Sequence, residues 1–98
     1  MPKREQLYVI SYDISRDKIR NKVANELENN GKRVQYSVFE CTLTAANFRK
    51  LYQKLLQLCS NEETDSIRIY TLCENCVEKI QIIGVEKEKK EEEPVIII

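Results

Sequence analysis

Residues 7–13 read LYVISYD, a nearly continuous run of β-branched and aromatic residues. Such a run is typical of a central strand. A helix is predicted to follow directly, because Ser15 and Asp17 both suit an N-cap and Gly31 suits a C-terminal stop. Its apolar residues repeat at helical spacing: Ile19, Val23 and Leu27. The first strand therefore leads straight into the first helix.

The downstream sequence predicts three more strands and one more helix. Residues 34–41 alternate in polarity as a strand does, and so do residues 66–72, while residues 79–84 are predicted as a last strand. Thr44 suits the N-cap of an amphipathic helix that reaches Cys59. The order is close to the ferredoxin-like β-α-β-β-α-β plan, an α+β fold with a sheet and helices on one of its faces.

The chain has 98 residues, which is enough for about one domain. We expect that domain to span residues 1–85. Residues 86–93 are a charge run and read as a solvated linker. Residues 94–98 read PVIII, which predicts a short C-terminal strand that docks on a sheet edge, either of its own chain or of a second copy. A frayed, sticky tail is the alternative.

Charge and residue type limit the chemistry. The net charge is zero, yet residues 1–54 carry eleven Lys or Arg against six Asp or Glu, and residues 55–98 carry five against ten. A basic half can therefore meet phosphates, although scattered solvated charge would give the same count. The absence of His removes Ser-His and Cys-His catalysis and imidazole metal ligands. Chemistry must rest on carboxylates, Lys, Tyr, Cys, or a metal held by oxygen.

Four cysteines occur without a secretory signal or an apolar run of the ~20 residues that span a bilayer. A cytoplasmic location with free thiols is expected, and no membrane association. Cys73 and Cys76 form a lone C-x-x-C pair, and Cys41 and Cys59 are poorly placed to complete a zinc site. A redox pair would follow a strand and open a helix, for which the gap to Lys79 leaves little room. Packing or turn roles are therefore expected.

Two segments, YDISRDKIRNK at residues 12–22 and GKRVQYSVFE at residues 31–40, carry a family resemblance. They resemble the smaller of the two near-universal CRISPR-associated adaptation proteins. That family has a hydrophobic strand ending in Tyr-Asp-Ile, an Arg-bearing helix start, and then Gly-x-Arg-Val-Gln-x-Ser-Val-Phe. The resemblance covers nearly the whole chain.

The resemblance implies a ferredoxin-like homodimer in which the acidic residue at the end of the first strand approaches its symmetry mate. Asp13 matches that position. It further implies a metal-dependent endonuclease of spacer acquisition in antiviral defence, acting on RNA or double-stranded DNA with Mg²⁺ or another divalent cation. Its implied partner is the larger CRISPR adaptation integrase. The alternative is a non-catalytic scaffold that binds double-stranded DNA and bridges integrase subunits.

One carboxylate per subunit is too few for a metal site, but a two-fold axis doubles it. Mg²⁺ is commonly held by one or two carboxylates together with water and substrate phosphate. Two Asp13 carboxylates, one from each subunit, are therefore sufficient in principle to bind the catalytic metal ion, which makes Asp13 the candidate catalytic and metal-binding residue. The alternative is that Asp13 only caps backbone amides where the first helix begins.

Four cations are candidate phosphate ligands: Arg16, Arg20, Lys22 and Arg33. Arg20 and Arg33 match basic positions of the family, whereas the family often has Arg where this chain has Lys22. The ammonium group of Lys22 interacts with a phosphate as a point charge, whereas an arginine there could form two parallel hydrogen bonds to it. Arg16 is a candidate by location alone. Solvated surface cations are the alternative for all four.

Three further residues fall within the matching segments and are expected to support the site. Tyr12 should point to the sheet face opposite Asp13, so packing is the favoured role for Tyr12 and Phe39. Ser37 either orients water or phosphate or is an ordinary strand serine.

Overall fold

The computed structural model describes residues 4–59 and 65–85. The predicted linker at 86–93 and the predicted terminal strand at 94–98 lie outside these residues. Within them the chain forms β1 (Glu5–Asp13), α1 (Asp17–Glu28), β2 (Lys32–Gln35), β3 (Val38–Thr44), α2 (Ala45–Leu58), β4 (Ser66–Leu72) and α3 (Glu74–Glu78). No helix in this part of the chain is long and apolar enough to cross a bilayer.

The four strands form one antiparallel sheet in the order β2-β3-β1-β4. β1 is central, as predicted, because it pairs with β3 on one side and with β4 on the other. Ile10 lies opposite Phe39 in β3 and opposite Ile69 in β4. This order and the β-α-β-β-α-β sequence of the main elements confirm the ferredoxin-like α+β fold.

α1 and α2 cover one face of the sheet and build the core there. The core side chains come from β1, β3 and both helices: Tyr8, Ile10, Tyr12, Ile14, Val23, Ala24, Leu27, Phe39, Cys41, Leu43, Leu51 and Leu55. Phe48 of α2 stacks on the ring of Tyr8 with centroids 4.1 Å apart. The other face carries the alternate strand residues and is not covered by α1 or α2, although Val77 of α3 and Ile80 line a groove there with Leu7.

The single strand predicted over residues 34–41 is wrong, because the chain folds there into the β2–β3 hairpin. Gln35 pairs with Val38, so Tyr36 and Ser37 form a two-residue turn. Such turns usually contain Asn-Gly or Asp-Gly, whose residues accept a positive φ. This turn lacks that signature, and the register shifts between Arg33 and Gln35. The alternation of polar and apolar residues over 34–41 continues through Tyr36 and Ser37, so the sequence pattern does not reveal the turn.

The strand predicted over residues 79–84 is also wrong. Lys79 closes the last turn of α3, and residues 80–85 follow without strand pairing. Ile80 and Ile82 line a groove together with Lys32 and Glu40 of the hairpin. β-branched residues favour a strand only where a neighbouring edge offers a ladder. Within one chain this segment lies beside the hairpin without such a ladder.

The helix boundaries show which capping predictions hold. Thr44 caps α2 as predicted, since its hydroxyl accepts a hydrogen bond of 3.2 Å from the backbone N–H of Asn47. Arg16, and neither Ser15 nor Asp17, occupies the N-cap of α1, and its side chain makes no capping bond. Gly31 lies beyond the C-cap Asn29, so it does not end the helix.

Gly31 is required for a different reason. A Cβ atom on it would lie 2.3 Å from the carbonyl oxygen of Glu40 and 2.6 Å from Sγ of Cys41. Only glycine lets the chain approach β3 this closely.

Candidate metal and nucleic-acid site

Asp13 ends the central strand and is exposed, whereas Tyr12 is only 8% exposed. Consecutive strand residues point to opposite faces, so Asp13 belongs to the face that α1 and α2 leave uncovered. In the pairing with β4 it lies opposite Ser66. The structure therefore places the Asp13 carboxylate at an accessible end of the strand that is paired on both sides.

The two segments that carry the family resemblance meet beside this carboxylate. The backbone N–H of Tyr12 donates a hydrogen bond of 3.1 Å to the carbonyl of Ser37. The rings of Tyr12 and Phe39 stack with centroids 6.3 Å apart, and Phe39 is fully buried. The β2–β3 turn is thus fastened to the residue that precedes Asp13.

Arg16 lies in the loop between β1 and α1 and is held by a residue distant in sequence. Its Nη2 lies 3.7 Å from Oδ2 of Asp65. The other oxygen of Asp65 accepts a hydrogen bond of 3.2 Å from the backbone N–H of Ser15. Asp65 precedes Ser66, which pairs with Asp13. Arg16 is therefore fixed near the candidate carboxylate.

Arg20 lies one turn into α1, at the same end of the sheet as Arg16. Its guanidinium forms an ion pair with Asp17 and donates hydrogen bonds to the carbonyls of Ile14, at 3.2 Å, and Ser15, at 3.4 Å. These contacts fold Arg20 back onto the loop that follows Asp13. The structure thus brings Arg16 and Arg20 together at one end of the sheet.

Arg33 lies at the other end of α1. Its guanidinium carbon is 5.1 Å from the centroid of Phe39, and its Nη2 is 3.8 Å from the carboxylate of Glu28. Glu28 is the last residue of α1 and Arg16 precedes the first, so the helix, about 18 Å long by its rise per residue, separates the two arginines. Nε of Arg33 is buried without a hydrogen-bond partner among the described residues.

Lys22 lies apart from both ends. It is exposed and lines a shallow groove between α1 and α2 with Asn25, Lys54 and Gln57. The four candidate cations therefore do not form one patch on a single chain.

The described residues of one chain do not complete a metal site. They contain no group of three or more Cys, Asp or Glu placed to hold an ion. Asp65 is already engaged by Ser15 and Arg16. Asp13 supplies one carboxylate, so the metal site expected from the sequence is incomplete within the described residues of one chain.

Asp65 is a residue that sequence reasoning missed. It lies fifty positions from Ser15 and reads as part of a polar loop. No local pattern marks a contact of that range. Only the register between β1 and β4 brings the two together.

The expectation that the gap to Lys79 leaves little room for a helix opened by Cys73 and Cys76 is wrong. Cys73 follows β4 directly and is the N-cap of α3, where its Sγ accepts a hydrogen bond of 3.2 Å from the backbone N–H of Cys76. Their Sγ atoms are 2.9 Å apart in a hydrogen bond. Hydrogen bonds from the Cys76 thiol and backbone lower the pKa of Cys73, and the same thiol contact raises the pKa of Cys76.

Known proteins are similar to this chain in sequence and in fold. A family model described as CRISPR associated protein Cas2 matches residues 6–80. Over 77 residues the chain is 51% identical to the CRISPR-associated endoribonuclease Cas2 1 of Chloroflexus aurantiacus, covering 79% of this chain and 83% of that protein.

Solved structures agree. Streptococcus pyogenes Cas2 superposes with a TM-score of 0.68 at 35% identity, over 80% of this chain and 99% of that one. A chain of a partial Cas6-RT-Cas1–Cas2 complex gives a TM-score of 0.68 at 34% identity, over 80% and 90%. The resemblance seen in the two segments is confirmed, and the chain belongs to the CRISPR associated protein Cas2 family.

Proposed function

We propose that two copies of this chain form a homodimer that hydrolyses phosphodiester bonds of RNA or DNA with Mg²⁺ or another divalent cation. The activity would serve spacer acquisition in CRISPR antiviral defence in the cytoplasm. Curated relatives named as endoribonucleases support the reaction class. The observation that carries the proposal is the exposed carboxylate of Asp13 at the end of the central strand.

A two-fold axis near Asp13 would supply what one chain lacks. Two carboxylates with water and a substrate phosphate are a common Mg²⁺ environment. The bound ion would polarise a phosphoryl oxygen and lower the pKa of a bound water. The protein's own part is to hold both Asp13 side chains at strand ends, where β3 and β4 fix the backbone. Ser37 would support the site through its bond to Tyr12.

The exposed apolar residues of the chain support a second copy as the partner. Large side chains are exposed in the β2–β3 turn, in β4 and in the segment that follows it: Tyr36, Tyr70, Val77, Ile80, Ile83 and Val85. Ile83 is 97% exposed and Tyr36 is 76% exposed. Clustered exposed apolar side chains often mark an interface. Pairing through the uncovered sheet face would bury it and bring the strand ends together.

The substrate backbone would be held by cations next to the paired carboxylates. Arg16 lies in the loop that follows Asp13 and Arg20 contacts that loop, so they are the proposed phosphate ligands of the cleavage site. Lys22 and Arg33 lie farther away and would contact more distant phosphates of a longer nucleic acid. Such contacts give affinity without reading sequence.

Cleavage of labelled single-stranded RNA and double-stranded DNA tests the proposal. The wild type is compared with Asp13→Asn and Asp13→Ala in Mg²⁺ and in EDTA. We expect Mg²⁺-dependent cleavage that both variants reduce by at least a hundredfold while the dimer persists in sedimentation. The matched control is Glu5→Gln, which removes an exposed carboxylate at the opposite end of the same strand.

Control activity should equal that of the wild type. If an Asp13→Ala preparation that is free of contaminating nucleases cleaves at the wild-type rate, the catalytic role of Asp13 is refuted. Loss of cleavage in Glu5→Gln as well would show a general charge or folding effect, and would equally count against Asp13 as the specific residue.

A non-catalytic scaffold is the second candidate function. The similarity to a chain of the partial Cas6-RT-Cas1–Cas2 complex favours it, because that protein assembles with others. In this role the chain would bind double-stranded DNA and bridge subunits of the larger adaptation integrase. Arg20→Gln should then weaken DNA binding and reduce its salt dependence, whereas Asp13→Asn should leave binding and integration intact. Unchanged binding in Arg20→Gln would exclude this surface.

A further inference from the structure

Cys73 and Cys76 form the most closely spaced reactive group on the described surface that the proposed nuclease does not use. Both are exposed, and their Sγ atoms are 2.9 Å apart. A disulfide bond is about 2.05 Å long. The two sulfur atoms therefore need to move by less than an ångström to bond, within one turn of the same helix.

The position of Cys73 suits it to react first. It joins β4 to α3, and its sulfur faces the backbone N–H of Cys76 at 3.2 Å. A thiolate at this position is stabilised by that N–H and by the neighbouring thiol. The lowered pKa of Cys73 and the raised pKa of Cys76 agree with this order.

The other two cysteines are unsuited to the same chemistry. Cys41 is fully buried in the core under the two helices, and burial raises its pKa from the ordinary 9.0 to about 11. Cys59 is half-buried at the C-cap of α2. Only the Cys73–Cys76 pair combines exposure with a neighbouring thiol.

We infer that Cys73 and Cys76 are a redox site that forms a reversible intrachain disulfide by exchange with small-molecule disulfides. The Cys73 thiolate attacks one sulfur of the small disulfide and bonds to it as a mixed disulfide, while the S–S bond of the small molecule breaks and its other sulfur leaves as a thiolate. The Cys76 thiolate then attacks the sulfur of Cys73 and expels the second thiolate. The two cysteines lose two electrons and two protons, and the small disulfide is reduced to two thiols.

The pair is placed where its oxidation state bears on the rest of the chain. α3 connects β4 to the exposed segment 80–85, and its turn is closed by backbone hydrogen bonds from Val77 to Cys73 and from Lys79 to Cys76. Val77 lines a groove with Leu7 and Ile80. A disulfide would fix this turn covalently. Cysteine pairs of this kind in a reducing compartment are typically transient or regulatory.

Thiol mapping of the full-length protein tests the inference. Reduced protein in EDTA is equilibrated with glutathione and glutathione disulfide at a series of ratios, quenched by alkylation and mapped by mass spectrometry. We expect a Cys73–Cys76 disulfide to appear with rising glutathione disulfide and to disappear with excess glutathione. Cys41 should be alkylated only after unfolding.

Two single variants fix the order of attack. Cys76→Ser should accumulate a glutathione adduct on Cys73, because the resolving thiol is gone. Cys73→Ser should form its adduct on Cys76 at least fivefold more slowly. Circular dichroism of each variant confirms that the fold is kept, and Cys59→Ser serves as the matched control with an unchanged Cys73–Cys76 disulfide.

Three results would overturn the inference. One is that both thiols stay alkylatable at every glutathione ratio. Another is that each carries its own glutathione without forming a disulfide. The third is that oxidation links two chains instead of closing the pair within one. None of these readouts depends on nucleic-acid cleavage, so the redox site stands or fails separately from the nuclease.

Discussion

The backbone N–H of Tyr12 donates a 3.1 Å hydrogen bond to the carbonyl of Ser37. This bond ties the end of the central strand to the turn between β2 and β3. Asp13 follows Tyr12 immediately, so the hairpin turn determines where the candidate carboxylate lies. The two segments that carry the family resemblance are thus neighbours in space, although residues 23–30 separate them in sequence.

Phe39 supports this junction from below the sheet. It is fully buried, stacks with Tyr12 and lies under the guanidinium of Arg33. Phe39→Ala should lower the free energy of unfolding by about 3–5 kcal/mol, because it leaves a cavity in the core. Urea denaturation measures this. Phe39→Leu, which fills most of the cavity, should cost clearly less, and equal losses for the two variants would contradict the account.

Gly31 tests the close approach of the α1–β2 connection to β3. Gly31→Ala places a methyl group 2.3 Å from the carbonyl oxygen of Glu40, so the backbone must shift. We expect a loss of about 1–3 kcal/mol in the free energy of unfolding, typical of overpacking. Asn29→Ala, two residues earlier in a right-handed helical conformation, should change it by less than about 0.5 kcal/mol. A neutral Gly31→Ala would refute the steric argument.

Because the thiol of Cys41 is buried, we expect the folded protein to lose stability at alkaline pH. Burial raises its pKa from the ordinary 9.0 to about 11, so the folded thiol holds its proton more tightly than the unfolded one. The stabilisation is complete below pH 9 and is lost as the pH rises towards 11, because unfolding then releases a proton. The free energy of unfolding of the wild type should therefore fall relative to Cys41→Ala over that window, by about 2–3 kcal/mol in all. Parallel curves would contradict this.

Removing the negative charge of Asp17 is expected to strengthen the binding of nucleic acid. Its carboxylate is paired with Arg20, and a nucleic-acid phosphate would have to compete for that guanidinium. Asp17→Asn should strengthen binding of double-stranded DNA a few-fold at low salt, and Arg20→Gln should weaken it. Fluorescence anisotropy measures both. Glu5→Gln gives the same change in net charge away from the site, and an equal gain there would show that Arg20 is not the ligand.

Sequence patterns correctly predicted the elements that are determined by residues close together in the chain. The apolar run at 7–13 became the central strand, and Thr44 capped α2, whose Leu51 and Leu55 are buried. These features depend on neighbours within a turn or a strand. The C-x-x-C spacing was also visible, but the five-residue α3 is too short to leave a periodic pattern.

The remaining features depend on contacts between distant residues. The turn at Tyr36 and Ser37 has none of the residues that usually mark one, and the contact of Asp65 with Ser15 spans fifty positions. The spread of the candidate cations follows from the length of α1, which separates Arg16 from Arg33. The candidate carboxylate and the four candidate cations could be chosen from the sequence. Their relative positions could be determined only from the structure.

The stoichiometry of divalent-cation binding tests the paired Asp13 site most directly. Mn²⁺ titration of the full chain, followed by electron paramagnetic resonance, should give one specific site per two chains. Asp13→Asn should abolish that site and Glu5→Gln should retain it. One site in every chain, or unchanged binding in Asp13→Asn, would contradict the account.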